Sequence, residues 1–89
     1  MTAPPYTLQF RPAALRQLRM IPKDTLQRIR TATEALRDEP RPDGVAKLAG
    51  THDLWRIKVG NYRVIYTIAD DVLVVTVIRI GHRREVYRR

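Results

Sequence analysis

The sequence predicts one α+β domain in which a helical hairpin packs on an antiparallel sheet. Three observations predict this fold class: an alternating segment near the N-terminus, two adjacent helical periodicities before residue 40, and three later segments rich in β-branched and aromatic residues. The chain has 89 residues, 44% of them apolar, which suffices for one small core. Residues 1–89 are therefore expected to form a single domain that buries the apolar sides of both layers.

The N-terminal half predicts one strand and two helices. Residues 6–10 alternate apolar and polar side chains, as a short strand does. Pro12 suits the first turn of a helix, and the amphipathic pattern that follows breaks near Pro22. A second helix is expected over residues 23–38, and residues 41–50, with one proline and two glycines, are expected to be a connecting loop.

The C-terminal half predicts a three-stranded meander. Its first two strands are expected at residues 54–59 and 62–69, on either side of a two-residue Gly-Asn turn that favours a hairpin. A second tight turn at residues 70–71 leads into a third strand over residues 72–80. One helical hairpin covering one side of this sheet is the simplest arrangement that buries both apolar faces.

Composition restricts the classes of function. The net charge of +8 favours a polyanionic partner, such as a nucleic acid, an anionic membrane or an acidic protein. The chain has no cysteine, which excludes disulfides and thiolate metal sites, and its two histidines, His52 and His82, are too few for an all-protein metal site. No signal peptide and no long apolar run are apparent, so we expect a soluble cytoplasmic protein that needs no metal or other cofactor.

Strand parity places basic side chains together. Arg56 and Lys58 alternate with apolar residues on the first meander strand, Arg63 has the polar parity on the second, and Arg79 and Arg83 share one parity at the end of the third. These strand interiors contain no Asp or Glu. The pattern predicts an anion-binding face; the alternative is the ordinary solvated face of an antiparallel sheet.

Cleavage of RNA without a metal would need further groups. A base must take the proton of a ribose 2′-hydroxyl, cations must stabilise the phosphorane, and an acid must protonate the leaving 5′-oxygen. Arginine suits the second task because it is always charged and binds two phosphate oxygens at once. The candidate acids and bases are His52, Asp53, His82, Glu85 and Tyr87.

Tyr87 is a candidate base because of its neighbours. An ordinary phenol is a poor base at neutral pH, but nearby cations favour the phenolate and lower the phenol pKa. In the sequence this tyrosine lies among Arg83, Arg84, Arg88 and Arg89. The alternative is a tyrosine that anchors the tail on the core.

Two stretches of the chain resemble a known family. These stretches come after the predicted N-terminal strand and two helices, and they read LWRIKVGNYRVIYTI and VLVVTVIRIGHRREVYRR. Their most specific parts are W-R-I-K-V-G-x-Y-R-V-x-Y and G-H-R-x-x-V-Y. Over nearly its whole length the chain resembles the RelE-type toxins of bacterial toxin–antitoxin pairs. The resemblance implies a RelE-like, microbial-RNase-like fold and an mRNA interferase that enters the 30S A site of the ribosome. It also implies metal-free 2′-hydroxyl attack and a cognate antitoxin held in a hetero-oligomer.

The resemblance also implies roles for single residues. It assigns Arg56 and Lys58 to phosphate binding, Lys58 with a catalytic part, and Arg63 to transition-state stabilisation. Arg83 is expected to contact the scissile phosphate, and Tyr87 is expected to be the general base.

Two further positions are expected to contact RNA phosphates. His82 and Arg84 match this part of the family less closely, and whether His82 or Tyr87 gives or takes a proton stays open.

Two other functions fit the same sequence. The superfamily also contains ParE-type members, which share the fold, inhibit DNA gyrase and end in an arginine-rich segment. A non-catalytic RNA-binding module would use the same basic face. The combination of Lys58, Arg63, Arg83 and Tyr87 favours the nuclease.

Overall fold

Two helices lie against one five-stranded sheet in the computed structural model of the chain, which describes residues 4–48 and 53–82. This arrangement confirms the α+β class. The elements follow in the order β1 (Thr7–Phe10), α1 (Pro12–Leu18), α2 (Lys23–Ala35), β2 (Ala46–Lys47), β3 (Leu54–Val59), β4 (Tyr62–Ala69) and β5 (Val74–His82). The short strand β2 was not predicted, because its two residues lie inside a segment whose proline and glycines indicate a loop.

The sheet is mixed rather than purely antiparallel. Its strand order is β1-β5-β4-β3-β2, and the meander of β3, β4 and β5 is antiparallel as predicted. β1 pairs in parallel with β5, so the first and last strands of the chain are neighbours. The sequence pattern of β1 defines a strand but not its partner, because alternation alone carries no information on pairing.

Three predicted boundaries were wrong by two or three residues: the end of α2 and both ends of β5, which extends to His82 rather than ending at residue 80. Helix α2 ends at Ala35 rather than at residue 38, since the amides of the next three residues bond three residues back and form a turn. β5 begins at Val74 because residues 70–73 form a four-residue loop between the paired Ala69 and Val74. Leu73 in that loop has a φ of 56°.

The helix-facing side of the sheet forms the core. Ile57 and Val59 of β3 are buried there, with Trp55 packed against them, as strand parity predicted. The helices contribute Ala14 and Ile29, and the turn after α2 contributes Leu36, all fully buried. The remaining buried members of this core are Ile21, Val64, Tyr66, Ile68, Val75, Val77 and Ile80.

The pairing of β4 with β5 contains a β-bulge. Tyr66 pairs with Val77, but the preceding residue Ile65 pairs with Arg79, so Ile78 is an extra residue on β5. In such a bulge two residues of one strand oppose one residue of the other, and the side-chain alternation changes there.

The bulge determines which side chains of β5 are buried. Val75 and Val77 lie in the core, and uninterrupted alternation would place Arg79 there as well. With Ile78 inserted, Arg79 lies on the opposite side of the sheet and Ile80 is buried in the core, 1% exposed. Helix α1 supports this part of β5, since the Gln17 side-chain oxygen accepts a 2.6 Å hydrogen bond from the amide of Ile80.

Three distant segments meet at Asp70. The Tyr6 hydroxyl donates a 2.7 Å hydrogen bond to its carboxylate, and the Arg41 guanidinium donates two more, at 2.8 and 3.3 Å. The Arg41 guanidinium also lies 5.0 Å from the centre of the Trp55 ring. Hydrogen bonds from Arg41 and then from Tyr6 hold the pKa of Asp70 below its ordinary value. This network joins the start of β1, the segment after α2 and the β4–β5 loop.

We predict that Asp70→Asn lowers the Tm at neutral pH and that the difference from wild type disappears in acid. A carboxyl whose folded pKa lies below the ordinary value of 3.8 stabilises the fold above that pH. Its contribution declines as the pH falls through that value and is gone below the lowered folded pKa. Thermal denaturation between pH 7 and pH 2 measures the effect. Asp71→Asn, which removes the same charge from the same loop, is the control, and a pH-independent Asp70→Asn difference would contradict the prediction.

Candidate nucleic-acid interface

The side of the sheet turned away from the helices carries four basic side chains of the described strands. These four, Arg56, Lys58, Arg63 and Arg79, are called the basic face below. They come from β3, β4 and β5 and form two rows across the sheet. The predicted grouping of Arg56, Lys58 and Arg63 is present in the structure, and Arg79 completes it.

The first row consists of Arg56, Ile65 and Arg79, which are register partners across the three strands. Ile65 is only 5% exposed although it lies outside the helix-side core. Its neighbours in the row are two arginines, whose long aliphatic stems can cover apolar surface while the charged ends stay accessible. The Nε atom of Arg56 is buried and has no hydrogen-bond partner in the described part of the chain.

The second row brings like charges together directly. Lys58 pairs with Arg63, and the next partner of Arg63 is Gly81, which adds no side chain to the row. The Arg63 guanidinium donates a 3.3 Å hydrogen bond to the carbonyl of Tyr62, its own neighbour in sequence. Like charges that face each other across two strands repel and destabilise the sheet.

Carboxylates are absent from the described strands. None of β1 to β5 contains an Asp or Glu. Of the described residues, Glu34 pairs with Arg37 within the helical region, and Asp70 pairs with Arg41 at the far end of the sheet. The positive charge of the basic face is therefore not balanced by acidic residues on the same strands, and the face favours an anionic ligand.

The structure does not bring His82 onto the basic face. Its register partner is Tyr62, which packs against the helix-side core, and the two rings contact edge to face with centroids 5.7 Å apart. The bulge at Ile78 sets this side, because every residue of β5 beyond it changes parity relative to Val75 and Val77. His82 therefore lies on the opposite side of the sheet from Arg56, Lys58 and Arg63, and its expected phosphate contact stays a prediction.

Several predicted site residues lie outside the described residues. Arg83, Arg84 and Tyr87 follow the end of β5. Of the other acid–base candidates, His52 and Glu85 also lie outside the described residues. Arg79 is the reverse case, because strand parity grouped it with the other basic side chains but no site role was predicted for it. Its parity with Arg83 was visible in the sequence, but the bulge that directs it to the basic face gives no clear sequence signal.

The part of the chain at residues 4–48 and 53–82 offers neither a metal site nor a membrane-spanning helix. Nowhere in that part do three or more His, Asp or Glu side chains group in a way that could hold a metal ion. Neither of its helices has the length and apolar character needed to cross a membrane.

The chain matches a known family over most of its length. Residues 8–87 match the family model described as the ParE toxin of the type II toxin–antitoxin system, parDE. The chain belongs to the RelE/ParE superfamily. Among curated relatives, Toxin RelG of Mycobacterium tuberculosis is 36% identical over 89 residues, covering 96% of this chain and 99% of the relative. The mRNA interferase toxin RelE of Escherichia coli K12 is 31% identical, with 92% and 90% covered.

Solved structures agree with this membership. The RelE–RelB complex of Pyrococcus horikoshii superposes with a TM-score of 0.80 at 29% identity, covering 91% of this chain and 98% of that one. The RelBE2 toxin–antitoxin complex of M. tuberculosis gives a TM-score of 0.78 at 28% identity, with 89% and 99% covered. The resemblance to RelE-type toxins is thus confirmed, and this RelE-type chain is the toxin of a type II toxin–antitoxin pair.

We predict that Lys58→Thr stabilises the free toxin and weakens its binding to polyanions. Removing one of two facing like charges should raise the free energy of unfolding by about 0.2–1 kcal/mol. Losing one phosphate contact should make the salt slope of single-stranded RNA binding less negative by about 0.7. Urea denaturation and fluorescence anisotropy over a salt series measure the two effects.

The control for Lys58→Thr is Lys47→Thr. Lys47 is an exposed lysine on β2, but its partner is Trp55, so it lies on the helix-facing side, 5.7 Å from the Trp55 ring centre. The control should show no gain in stability and an unchanged salt slope. Equal effects of both variants would mean that net charge, not the basic face, is responsible.

Proposed function

We propose that the toxin is a ribosome-dependent endoribonuclease that cleaves messenger RNA in the A site without a metal ion and thereby inhibits translation. The observation that carries the proposal is the basic face, whose four cations lie on three adjacent strands that contain no carboxylate. An E. coli relative is named an mRNA interferase, which supports the same activity here.

The basic face would bind and polarise the phosphate backbone. Arg56 and Arg79 are the two ends of one row, and Arg63 faces Lys58 in the next row. A phosphate could therefore bind cations from two strands at once. Negative charge builds up on the phosphate oxygens when a nucleophile attacks. Fixed cations therefore stabilise the transition state more than they stabilise the ground state. In this proposal guanidinium and ammonium groups supply the stabilisation that a metal supplies in other nucleases.

The proton transfers are assigned to residues after β5. Tyr87, with its phenol pKa lowered by Arg83, takes the proton of the ribose 2′-hydroxyl. The 2′-oxygen then bonds to phosphorus while the bond to the 5′-oxygen breaks, which leaves a 2′,3′-cyclic phosphate. The 5′-oxygen takes a proton back from the Tyr87 phenol or receives one from His82. Arg83 also contacts the scissile phosphate, and Arg84 contacts a phosphate of the RNA backbone. Support for these roles comes from motif positions in the sequence.

A cognate antitoxin is the expected protein partner. Relatives from P. horikoshii, E. coli and Methanococcus jannaschii were solved as RelE–RelB complexes. On this chain, β1, α1 and α2 surround a groove of about 700 Å³. Its apolar part is lined by Leu8, Phe10, Leu15 and Leu18, and its α2 side carries polar and charged residues such as Arg30 and Glu34. Such a groove fits the apolar side of an amphipathic helix, and an acidic segment of the same antitoxin could cover the basic face in a hetero-oligomer.

A second function deserves testing because of the family description. The matched family is named for ParE, and the resemblance noted in the sequence extends to ParE-type gyrase inhibitors. Relaxed DNA that persists in a gyrase supercoiling assay, together with intact messenger RNA on programmed ribosomes, would select gyrase inhibition. Polyanion binding without either effect would select a non-catalytic RNA-binding module.

We predict that Tyr87→Phe and Arg83→Ala each reduce A-site cleavage by at least about 10²-fold, the usual contribution of a positioned proton-transfer or charge-stabilising group. Affinity for RNA should change little in Tyr87→Phe, because the phenol acts on a proton and not on backbone charge. Primer extension on messenger RNA in programmed 70S ribosomes measures cleavage.

Three controls accompany the cleavage assay. Free RNA should remain largely intact without ribosomes, and cleavage should survive chelation of divalent ions at a level that leaves the ribosome assembled. Arg19→Ala, an exposed arginine on the helical side, should cleave like wild type. Wild-type cleavage by both tail variants would refute the assigned residues, and loss of cleavage on chelation would refute the metal-free mechanism.

We predict that Leu15→Asp weakens antitoxin binding by at least about tenfold while the toxin stays folded. Leu15 is 47% exposed on α1, so a charge there costs little in the free chain but must be desolvated under a docked apolar helix. Calorimetric titration with the purified antitoxin measures the change. Met20→Asp, which alters an apolar side chain 84% exposed and outside the groove, should bind normally; equal losses would exclude the groove as the docking site.

A further inference from the structure

A second cavity opens on the same side of the sheet as the basic face, where β1 ends. It measures about 410 Å³, within the range of roughly 300–1,000 Å³ typical of small-ligand sites. Besides the apolar Phe10 and Pro12, it is lined by Gln9, Arg11, Thr67, Thr76 and Ile78. The amide and hydroxyl groups of this set give the polar cavity its name.

The chemistry of the polar cavity differs from that of the basic face. The Gln9 amide donates a 3.0 Å hydrogen bond to the Thr76 hydroxyl oxygen. This leaves the Gln9 carbonyl oxygen, its second N–H and the Thr76 hydroxyl proton for a ligand. Thr67, the register partner of Thr76, adds another hydroxyl. The lining thus offers both donors and acceptors, with neither a carboxylate nor a lysine among its residues.

Two other lining residues favour a flat ligand. Ile78, the bulged residue of β5, provides an apolar surface. Arg11 lies at the rim with an exposed side chain, and its planar guanidinium is a group on which unstacked RNA bases stack. An apolar surface, a stacking plane and several neutral hydrogen-bonding groups together match a nucleobase better than a phosphate.

We propose that the polar cavity is a nucleobase subsite that reads one base of the RNA beside the phosphates held by the basic face. This inference rests on the proposed function, in that the ligand is RNA, and it names the residues that would give base preference. Phosphate contacts position a nucleic acid without reading its sequence, whereas amide and hydroxyl contacts to base edges discriminate between bases. Gln9 and Thr76 are accordingly the specificity-determining residues.

The position of the cavity suits this role. Thr67 lies two residues from Ile65 on β4 and on the same side, so the cavity is one row, about 7 Å, from the row of Arg56 and Arg79. Ile78 directly precedes Arg79 in the chain, so one residue lines the cavity and the next belongs to the basic face. A single nucleotide could therefore contact both, its phosphate at Arg79 and its base in the cavity.

The direct test measures binding without cleavage. A set of 2′-O-methyl trinucleotides, which lack the attacking hydroxyl, is varied one base at a time, and affinities are measured for wild type, Gln9→Leu and Thr76→Val. We expect a base preference in wild type that falls by about tenfold in each variant, as loss of one good base contact implies, with an unchanged salt slope. Thr7→Val, on the same strand and side but outside the cavity, is the control and should keep the preference.

Ribosomal cleavage separates this inference from the proposed function. If wild type cleaves messenger RNA and Gln9→Leu cleaves with altered codon preference, the subsite is supported. If trinucleotide preference depends on Gln9 but wild type does not cleave, the nuclease proposal fails and the subsite stands. An absence of base preference in wild type, or a preference that Gln9→Leu and Thr76→Val leave unchanged, overturns the subsite. Matching thermal transitions of the variants and wild type establish that each variant is folded.

Discussion

The β-bulge at Ile78 is the constraint on which both sides of the sheet depend. A strand alternates with a period of two, so one extra residue exchanges the sides of everything that follows it. Here the exchange buries Ile80 in the core and turns Arg79 toward the side that carries Arg56 and Arg63. It also sends His82 to the opposite side, against Tyr62. Core packing and the composition of the basic face are thus set by one insertion.

The basic face is a local conflict between stability and binding. Lys58 opposes Arg63 with no acidic residue on the neighbouring strands, an arrangement that the free fold would not favour by itself. The hydrophobic core on the other side, with Val64, Tyr66 and Val77 fully buried, supplies the stability that tolerates it. Functional sites are where proteins commonly retain such locally unfavourable groupings, and a bound polyanion would relieve this one.

The two sides of the sheet divide the proposed work. Basic and polar groups lie on the open side, where the proposed RNA site and the polar cavity adjoin. The helices cover the other side and leave the apolar groove near Leu15 for a protein partner. A toxin arranged in this way could hold its antitoxin through apolar burial, which salt affects little, and its RNA through charge, which salt screens strongly.

The sequence by itself determined the fold class, the hairpin turn after Val59, the helix-facing parity of Ile57 and the grouping of Arg56, Lys58 and Arg63, because these follow from local periodicity and turn chemistry. It also carried the motifs that identify the superfamily. Only the tertiary structure decided that β1 lies parallel to β5 and that the two-residue β2 forms one edge of the sheet. It also decided which side of the sheet Arg79 and His82 occupy. Strand partners and bulges depend on contacts between residues far apart in the chain, and no local pattern encodes them.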